Sequence, residues 1–390
     1  MPPLRAESPQ RRAALRALAS FFAASPLARA QQDPFRPHPR VASLPELATP
    51  LDFEAVAFAK VPRAAYNYTA YGSESEFTLR RNRQAFDWVK LVPRALAAPI
   101  GQPDTALELF GQRHAFPILL SPSAGHQALH PDGELATHQG ATAAHTTMIV
   151  SNVASYPIDK IAAAAPGPLW FQLYPKKDLD DNKPILDEAA AAGCRAIVVT
   201  VDQQSSYYER ALHDRHLAAV TRRTTRATPT NPYRVEDYRW WYSWELFDGL
   251  RKFTKLPILI KGVLTAEDAR IALDKGLNGI YVSNHGGRSL DYGPSTLEVL
   301  PEIAAAVNGR APILLDSGIR RGADILKALA LGASAVCLGR LPRWGLAAYG
   351  APGVERVLAL LQAELLLAMR QAGAANLAGI DASLVKADLP

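Results

Sequence analysis

The stretch SNHGGR, residues 283–288, combines a histidine and an arginine with two adjacent glycines. His285 can act as a general base, and the carboxylate of Asp202 is a candidate to orient the imidazole and stabilise its protonated form. Arg288 offers a planar, two-pronged grip for a carboxylate. These residue types indicate proton abstraction from an acidic substrate, and a plain surface loop is the alternative.

Further cationic residues follow apolar runs elsewhere in the chain. Lys261 supplies a fixed positive charge, and its alternatives are a Schiff-base nucleophile, as in barrel aldolases, or half of a buried ion pair. The stretches DSGIRRG (316–322) and LGR (338–340) set Arg320 and Arg340 beside glycines and backbone N–H donors. This favours a phosphorylated cofactor or substrate over surface ion pairs.

Eight apolar runs from Pro117 onward predict the strands that position these residues. They alternate with alanine-rich stretches that end at glycine and read as crossover helices. Eight such units predict a (β/α)8 TIM barrel with an N-terminal extension, in which all carboxyl strand ends meet at one face. An open doubly wound sheet is the rival, but no GxGxxG motif opens a helix after the first strand. The predicted strands are 117–123, 147–152, 169–174, 196–202, 257–263, 279–285, 312–318 and 334–340.

Four motifs carry a resemblance to a known family: FQLY (171–174), IKGVLTAEDAR (260–270), YVSNHGGRSLD (281–291) and LLDSGIRRGADILKALALGA (314–333). They resemble the FMN-dependent 2-hydroxy acid oxidases and dehydrogenases, which include glycolate oxidase, lactate dehydrogenase and mandelate dehydrogenase. The resemblance runs from about Tyr66 to Ala372. It implies oxidation of a small L-2-hydroxy acid to the 2-oxo acid, with FMN across the barrel mouth.

The resemblance also implies roles for individual residues. The substrate carboxylate would bind Arg288 and the hydroxyl of Tyr66, and Tyr174 would hydrogen-bond the reacting oxygen. His285 would be the base, supported by Asp202. Lys261 and Ser283 would contact the polar edge of the flavin ring, and Arg320 and Arg340 the phosphate. The complete implied cofactor set is Ser123, Ala124, Ser151, Gln172, Thr200, Lys261, Ser283, Asp316, Gly318, Arg320, Gly339 and Arg340. No metal site is predicted.

The sequence departs from the family pattern at two places. Tyr207 and Tyr208 stand where family arginines are expected, with Arg210 as a candidate substitute, and Val153 stands where glycolate oxidases carry a tryptophan. The identity of the 2-hydroxy acid therefore stays open. Two alternatives also stay open: a non-redox barrel enzyme, such as a lysine-dependent aldolase or isomerase, and an FMN-binding protein with impaired turnover.

The chain divides into four predicted segments. Residues 1–30, with Arg11, Arg12 and an Ala28-Arg29-Ala30 end, resemble a twin-arginine export signal and predict a periplasmic protein. A basic or disordered tail of a cytoplasmic protein is the alternative. Residues 31–50 are proline-rich and predict a linker, residues 51–375 the barrel domain, and residues 376–390 a C-terminal tail.

Composition limits the partners of the protein. The 390 residues carry 43 Lys and Arg against 37 Asp and Glu, a net charge of +6 that favours small anionic ligands. No nucleic-acid motif occurs, and no apolar run reaches the roughly eighteen residues of a membrane span, which leaves at most peripheral membrane contact. Oxygen, a quinone or a cytochrome would accept the electrons, and the resemblance implies a homotetramer. Cys194 and Cys337 read as small buried hydrophobes.

The long excursion at residues 210–244 sets basic residues beside aromatic ones. It predicts a lid whose aromatic side chains pack on the barrel rim. Contact with a membrane surface or an electron-accepting partner is the alternative.

Overall fold

Short strands and helices alternate along the chain in the computed structural model, which describes residues 41–98, 101–203, 239 and 241–390. The strands are β1 Val89–Leu91, β2 Leu107–Leu109, β3 Gln112–His114, β4 Ile118–Leu120, β5 Thr147–Ser151, β6 Leu169–Leu173, β7 Ile197–Thr200, β8 Ile258–Val263, β9 Gly279–Val282, β10 Ile313–Leu315, β11 Ala335–Leu338 and β12 Val385–Ala387. The helices are α1 Asp52–Lys60, α2 Arg63–Ala70, α3 Phe77–Asp87, α4 Gly133–Ala143, α5 Ile158–Ala163, α6 Lys183–Ala191, α7 Glu245–Leu250, α8 Ala266–Asp274, α9 Thr296–Val307, α10 Gly322–Ala330 and α11 Arg340–Ala372. Short 3-10 helices cover Leu44–Glu46, His126–Ala128, Asp180–Asn182, Leu377–Gly379 and Ala382–Leu384.

Strands β4 to β11 form a closed barrel, in which every strand runs parallel to its two neighbours. Each strand pairs with the next one along the chain, and β11 pairs with β4 to close the ring. All eight predicted strands are therefore confirmed, and with them the TIM barrel. Their polar ends, such as Ser151 beside Gln172 and Thr200 beside Lys261, are register partners at the same end of the barrel.

Apolar side chains fill the inside of the barrel. The interior cluster draws on all eight barrel strands, for example Leu119, Trp170 and Leu259. Most strand residues are buried because helices cover the outer surface, which explains why the strands read as nearly continuous apolar runs. The interior is thus a packed core, and room for a ligand exists only at its ends.

The hairpin β2–β3 closes the amino-terminal end of the barrel. Leu107 and Phe110 pack against the interior cluster, and the Trp170 indole donates a hydrogen bond to Gln112 Oε1 at 2.8 Å. An apolar plug at this end leaves the carboxyl ends of the strands as the open face.

The N-terminal extension is tied to the loop that follows β9. Asp291 accepts hydrogen bonds from the backbone N–H of Thr78 (2.9 Å) and from the hydroxyl of Ser75 (2.6 Å), so it caps α3 from a distant part of the chain. At the C-terminus, β12 pairs antiparallel with β1. The segment predicted as a tail, 376–390, thereby contributes a strand to the folded unit that spans Ser43–Pro390.

Several predictions concern residues outside the described ranges. These are the export signal, linker residues 31–40, and Tyr207, Tyr208 and Arg210. At the end of the excursion, the Tyr242 hydroxyl donates to the Pro175 carbonyl at 3.2 Å, next to the barrel rim. Cys194 and Cys337 are buried as predicted. Among the described helices, none has the length and apolar character needed to cross a bilayer.

Candidate active site

One cavity opens at the carboxyl ends of the barrel strands. It encloses about 970 Å³ of space, a figure that includes the open solvent at its mouth. The predicted site residues that line it are Ser123, Ala124, Ser151, Gln172, Tyr174, Thr200, Lys261, His285, Arg288, Asp316, Gly318, Arg320, Gly339 and Arg340. Residues that are far apart in sequence therefore converge on one space.

Two more predicted residues support the cavity from just outside its lining. Asp202 has a 7% exposed side chain that is bonded to the lining residues His285 and Lys261. Ser283 is fully buried, and its hydroxyl accepts a hydrogen bond from the backbone N–H of His285 at 3.1 Å. Both therefore touch the site through His285.

Tyr66 does not reach the cavity, which corrects its predicted place in the substrate site. Its hydroxyl donates to Glu54 Oε1 at 2.9 Å, and its ring stacks on Trp344 with 5.0 Å between ring centroids. Tyr68, two residues later on α2, lines the cavity instead. On a helix, residues two apart point to different sides, so only one of these tyrosines can face the substrate.

The turn after β9 aims His285 into the cavity. His285, Gly286 and Gly287 all adopt left-handed backbone conformations, with φ of 58°, 71° and 73°. A Cβ on Gly287 would lie 2.7 Å from the backbone of Leu79, so only glycine allows α3 to approach here. The paired glycines of the SNHGGR motif are thus explained by local geometry.

The amide of Asn284 locks this turn onto the N-terminal extension. The side chains of Asn284 and Asn82 exchange two hydrogen bonds, of 2.7 and 2.9 Å, and both residues are buried. Because every one of these buried amide groups has a partner, the turn has a defined position relative to α3.

Asp202 lies between His285 and Lys261. Its Oδ1 is 2.8 Å from Nδ1 of His285, and its Oδ2 is 3.3 Å from Nζ of Lys261. Gly262, at φ 113°, leaves room for the carboxylate, because a Cβ there would be 2.6 Å from that of Asp202. An ionised carboxylate only accepts hydrogen bonds, so Nδ1 carries the proton and Nε2 of His285 is the basic atom.

The electrostatics of this cluster keep Asp202 ionised. Burial alone would raise the pKa of its carboxyl, but Lys261 and His285 lower the pKa to about 2 through charge and hydrogen bonding. Asp202 therefore stays negative throughout the neutral range. It is available to stabilise an imidazolium at His285.

This pKa makes part of the stability depend on pH. A folded-state pKa of about 2, against an ordinary value of 3.8, contributes stability that is present above about pH 4 and lost as the pH falls toward 2. We expect the free energy of unfolding of the wild type to fall across this window more steeply than that of Asp202→Asn. Urea unfolding at several pH values measures the difference, and parallel pH profiles would contradict the assignment.

The carboxylate-binding side of the cavity is formed by Arg288 and Tyr68. The Arg288 guanidinium lies 4.7 Å from the Tyr68 ring centroid and donates to the carbonyls of Tyr68 and Tyr71. These contacts hold Arg288 against α2. The Tyr174 ring lies on the same cavity, with the guanidinium of Arg239 4.1 Å from its centroid.

A second pair of positive side chains, Arg320 and Arg340, lies in the loops after β10 and β11. Burial, together with the nearby charges of Arg320 and Arg288, lowers the pKa of Arg340 to about 9. Arg340 donates to the carbonyls of Thr69, Tyr71 and Gly286. The positive charges of Arg320 and Arg340 repel each other, so an anion bound between them would relieve the repulsion.

Two buried polar atoms on the barrel strands at the cavity have no hydrogen-bond partner within the described structure. They are Nε2 of Gln172 and Oγ1 of Thr200, on β6 and β7. The Gln172 carbonyl oxygen already accepts from Ser151 at 3.1 Å, which orients the amide. A buried polar atom without a partner costs free energy, so a ligand with polar edges is expected at this wall.

The prediction from sequence missed several residues that line the cavity. They are Tyr68, Thr69, Ser121, Ser317 and Arg343, together with the bottom residue Cys337. One signal was available for Arg343, because it follows Arg340 by three residues at the start of a helix and so shares its face. Val153, in contrast, is 54% exposed and does not line the cavity.

Comparison with known proteins identifies the family of this chain. A family model described as FMN-dependent dehydrogenase matches residues 57–387. The chain belongs to this family. Glycolate oxidase 3 of Arabidopsis thaliana is 38% identical over 357 residues, which cover 88% of this chain and 97% of the relative.

Solved structures of the FMN-dependent dehydrogenase family's oxidases share the fold. A mandelate oxidase with (S)-4-hydroxymandelic acid has a TM-score of 0.80 at 36% identity, covering 88% of this chain and 99% of its own. A lactate oxidase of Pediococcus acidilactici has a TM-score of 0.79 at 37% identity, covering 86% and 93%. The protein is therefore an FMN-dependent enzyme of the 2-hydroxy acid oxidase and dehydrogenase group.

The cavity fits FMN chemically. The unpartnered Gln172 and Thr200 atoms match the polar edge of an isoalloxazine ring, and the arginines after β10 and β11 match a phosphate. No group of three or more His, Cys, Asp or Glu among the described residues is arranged to hold a metal ion.

Proposed function

We propose that the enzyme oxidises a small L-2-hydroxy acid to the corresponding 2-oxo acid, with His285 as the base. The cluster of Asp202, His285 and Lys261 at the floor of the cavity, close to Arg288, carries this proposal. Glycolate, mandelate and lactate oxidases are the relatives, so each of these acids is a candidate substrate.

His285 is arranged to remove a proton from the substrate. Its Nδ1–H is held by Asp202, which leaves Nε2 to accept the proton. The imidazolium that results is stabilised by the Asp202 carboxylate, which keeps its negative charge because its pKa is about 2. FMN, when bound, supplies the acceptor for the two electrons that leave C2 of the substrate.

Arg288, Tyr68 and Tyr174 position the substrate in this proposal. Arg288 binds the carboxylate with its guanidinium, and Tyr68 takes the role first assigned to Tyr66. Tyr174 donates its hydroxyl hydrogen to the reacting oxygen. All three line the cavity together with His285, which supports their acting on one small molecule.

The geometry of Lys261 does not support a Schiff-base mechanism. A Schiff base needs a free amine, whereas the Lys261 side chain is 2% exposed and forms an ion pair with the Asp202 carboxylate at 3.3 Å. Lys261 instead supplies a fixed positive charge beside the bound cofactor.

The fate of the electrons and the location of the protein belong to the same proposal. Oxidase relatives support oxygen as the acceptor, and a quinone or cytochrome fits an exported protein. Export through the N-terminal signal and assembly into a homo-oligomer stay predictions.

The test is anaerobic mixing of the FMN-loaded enzyme with glycolate, lactate and mandelate, one acid at a time. We expect at least one acid to reduce the bound FMN, which is measured as loss of its visible absorbance. Admission of air then shows whether oxygen reoxidises the flavin and restores that absorbance. If no acid in a wide panel reduces the bound FMN, the result contradicts the proposed oxidation and favours the alternative of an FMN-binding protein with impaired turnover.

Arg320 provides a separate test of the cofactor site. Replacing it with methionine should weaken FMN binding about 10- to 100-fold, because a hydrogen bond to a charged group contributes roughly 1.5–3 kcal/mol. Flavin fluorescence on titration of the apoprotein with FMN measures the affinity. Its neighbour Arg321 pairs with Glu364 at 2.9 Å and does not line the cavity, so Arg321→Met should bind FMN normally. Equal affinities in the two variants would exclude Arg320 from the phosphate site.

A further inference from the structure

Arg343 is a buried arginine whose charge the proposed mechanism does not use. It lies in the first turn of α11, one helical turn after Arg340, and lines the same cavity. Only 4% of the residue is exposed. A guanidinium is rarely buried without a partner, so its surroundings require an explanation.

The hydrogen bonds of Arg343 are incomplete. Nη1 donates to the Ala124 carbonyl at 2.8 Å and Nε to the Thr69 hydroxyl at 3.0 Å, whereas Nη2 is buried without a partner. No carboxylate among the described residues forms an ion pair with Arg343. A buried cation in this condition is strongly destabilising unless an anion enters the cavity.

The side chains that line the cavity carry more positive than negative charge. Its cationic lining side chains are Lys261, Arg288, Arg320, Arg340 and Arg343, against the carboxylate of Asp316 in the lining and that of Asp202 beneath it. A phosphate monoester brings a charge of about −1.5 to −2 at neutral pH. Within this set the positive groups therefore still exceed the negative ones by about one charge with FMN bound, and the Glu54, Glu76 and Glu134 carboxylates act on Arg340 and Arg343 from outside the lining.

The position of Arg343 assigns it to the substrate side rather than the phosphate side. The Tyr68 ring centroid lies 5.6 Å from the Arg343 guanidinium and 4.7 Å from that of Arg288. Burial, together with the charge of Arg288, lowers the pKa of Arg343 to about 10, and the Glu134 carboxylate opposes this shift. The charge of Arg288 acts on both arginines, whereas that of Arg320 acts on Arg340.

We propose that Arg343 is a second cationic ligand for the substrate carboxylate, acting beside Arg288 and across the Tyr68 ring. This inference rests on the proposed function, because it assigns Arg343 to the carboxylate of that same 2-hydroxy acid. Two guanidinia on different elements, the loop after β9 and the start of α11, would then hold the carboxylate from two directions. The fixed position of Arg343, set by Ala124 and Thr69, lowers the entropy cost of this contact.

The test compares Arg343→Met, Arg343→Lys and the exposed control Arg321→Met, all as FMN-loaded enzyme. The first probe is pyruvate, a 2-oxo acid that carries the carboxylate but is not oxidised, and its binding is followed by the change in flavin absorbance. Arg343→Met should weaken pyruvate binding about 10- to 100-fold, as expected for the loss of a hydrogen bond from a charged donor. Arg343→Lys should fall between Arg343→Met and the wild type, and Arg321→Met should match the wild type.

The second measurement is the rate of flavin reduction at increasing concentrations of a 2-hydroxy acid that reduces the wild-type enzyme. Arg343→Met should raise the concentration needed for half-maximal reduction by a similar factor, with a much smaller change in the limiting rate. FMN content should stay at the wild-type level. If Arg343→Met is recovered poorly, Arg343→Lys keeps the charge and still tests the fork geometry.

Two results would overturn the assignment: wild-type pyruvate affinity in Arg343→Met, or loss of FMN with carboxylate affinity unchanged in the protein that retains it. The pyruvate measurement needs no turnover. If no hydroxy acid reduces the flavin of the wild type, the proposed function is contradicted. The pyruvate affinities would still decide whether Arg343 binds a carboxylate.

Discussion

Replacing His285 with asparagine is expected to slow anaerobic reduction of the bound flavin by a 2-hydroxy acid about 10²- to 10⁴-fold, the usual contribution of a positioned general base. The reason is the loss of Nε2, the only basic atom of the cluster formed with Asp202 and Lys261. Asparagine tolerates the left-handed backbone at this position, where φ is 58°. Stopped-flow absorbance of the flavin measures the rate.

The chain offers a matched control for this substitution. His145 is an exposed histidine with nearly the same backbone conformation, φ 53°, and it lies outside the cavity. His145→Asn should therefore reduce the flavin at the wild-type rate. FMN content should be equal in both variants, since His285 is not required to hold the cofactor. Reduction of His285→Asn at the wild-type rate would remove His285 from the role of base.

Replacing Lys261 with methionine should lower the free energy of unfolding by about 3–5 kcal/mol, the typical cost of removing one member of a buried ion pair. Lys261 is 2% exposed and Asp202 has a 7% exposed side chain, so the carboxylate would stay buried with only His285 beside it. The same loss of charge should lower the midpoint potential of the bound FMN, because a nearby ammonium favours the more negative reduced cofactor. Urea unfolding and redox titration measure the two effects.

A second substitution separates the ion pair from simple packing. The variant Lys261→Met with Asp202→Asn removes both charges and should recover much of the lost stability, since no unpaired carboxylate remains. Lys275→Met breaks an exposed pair with Asp248 and should change stability little. A double variant as unstable as the sum of its single variants would show that the two side chains act independently.

The fold was largely predictable because it depends on local patterning. Eight buried strands leave eight apolar runs, and each strand observed in the barrel lies within its predicted range. Seven of the eight predicted strands extended one to three residues too far at their carboxyl ends, because polar residues such as Ser283 and His285 already belong to the turn. The C-terminal strand β12 was missed, since its three residues pair with the distant β1 and carry no pattern of their own.

Most of the cavity lining was predictable because a closed parallel barrel brings the carboxyl ends of all its strands together at one face. Fourteen predicted residues line one cavity, and Asp202 and Ser283 lie directly behind it. The choice between Tyr66 and Tyr68 failed because both belong to one short helix, and its rotation is fixed by packing against Trp344. Tyr207 and Tyr208 lie outside the described residues, and Arg343 adds a guanidinium on α11 that only its spacing from Arg340 indicated.

The sequence by itself determined the strand count, the glycine-rich turns and the residue types suited to bind FMN and a hydroxy acid, because each of these depends on neighbours along the chain. Only the tertiary structure decided that Asp202 bridges His285 and Lys261, which tyrosine faces the cavity, and that Arg343 is buried there with no ion-pair partner among the described residues. These facts depend on distances between side chains that lie tens to hundreds of residues apart. Closure of the barrel and the docking of α2, α3 and α11 on its rim set those distances.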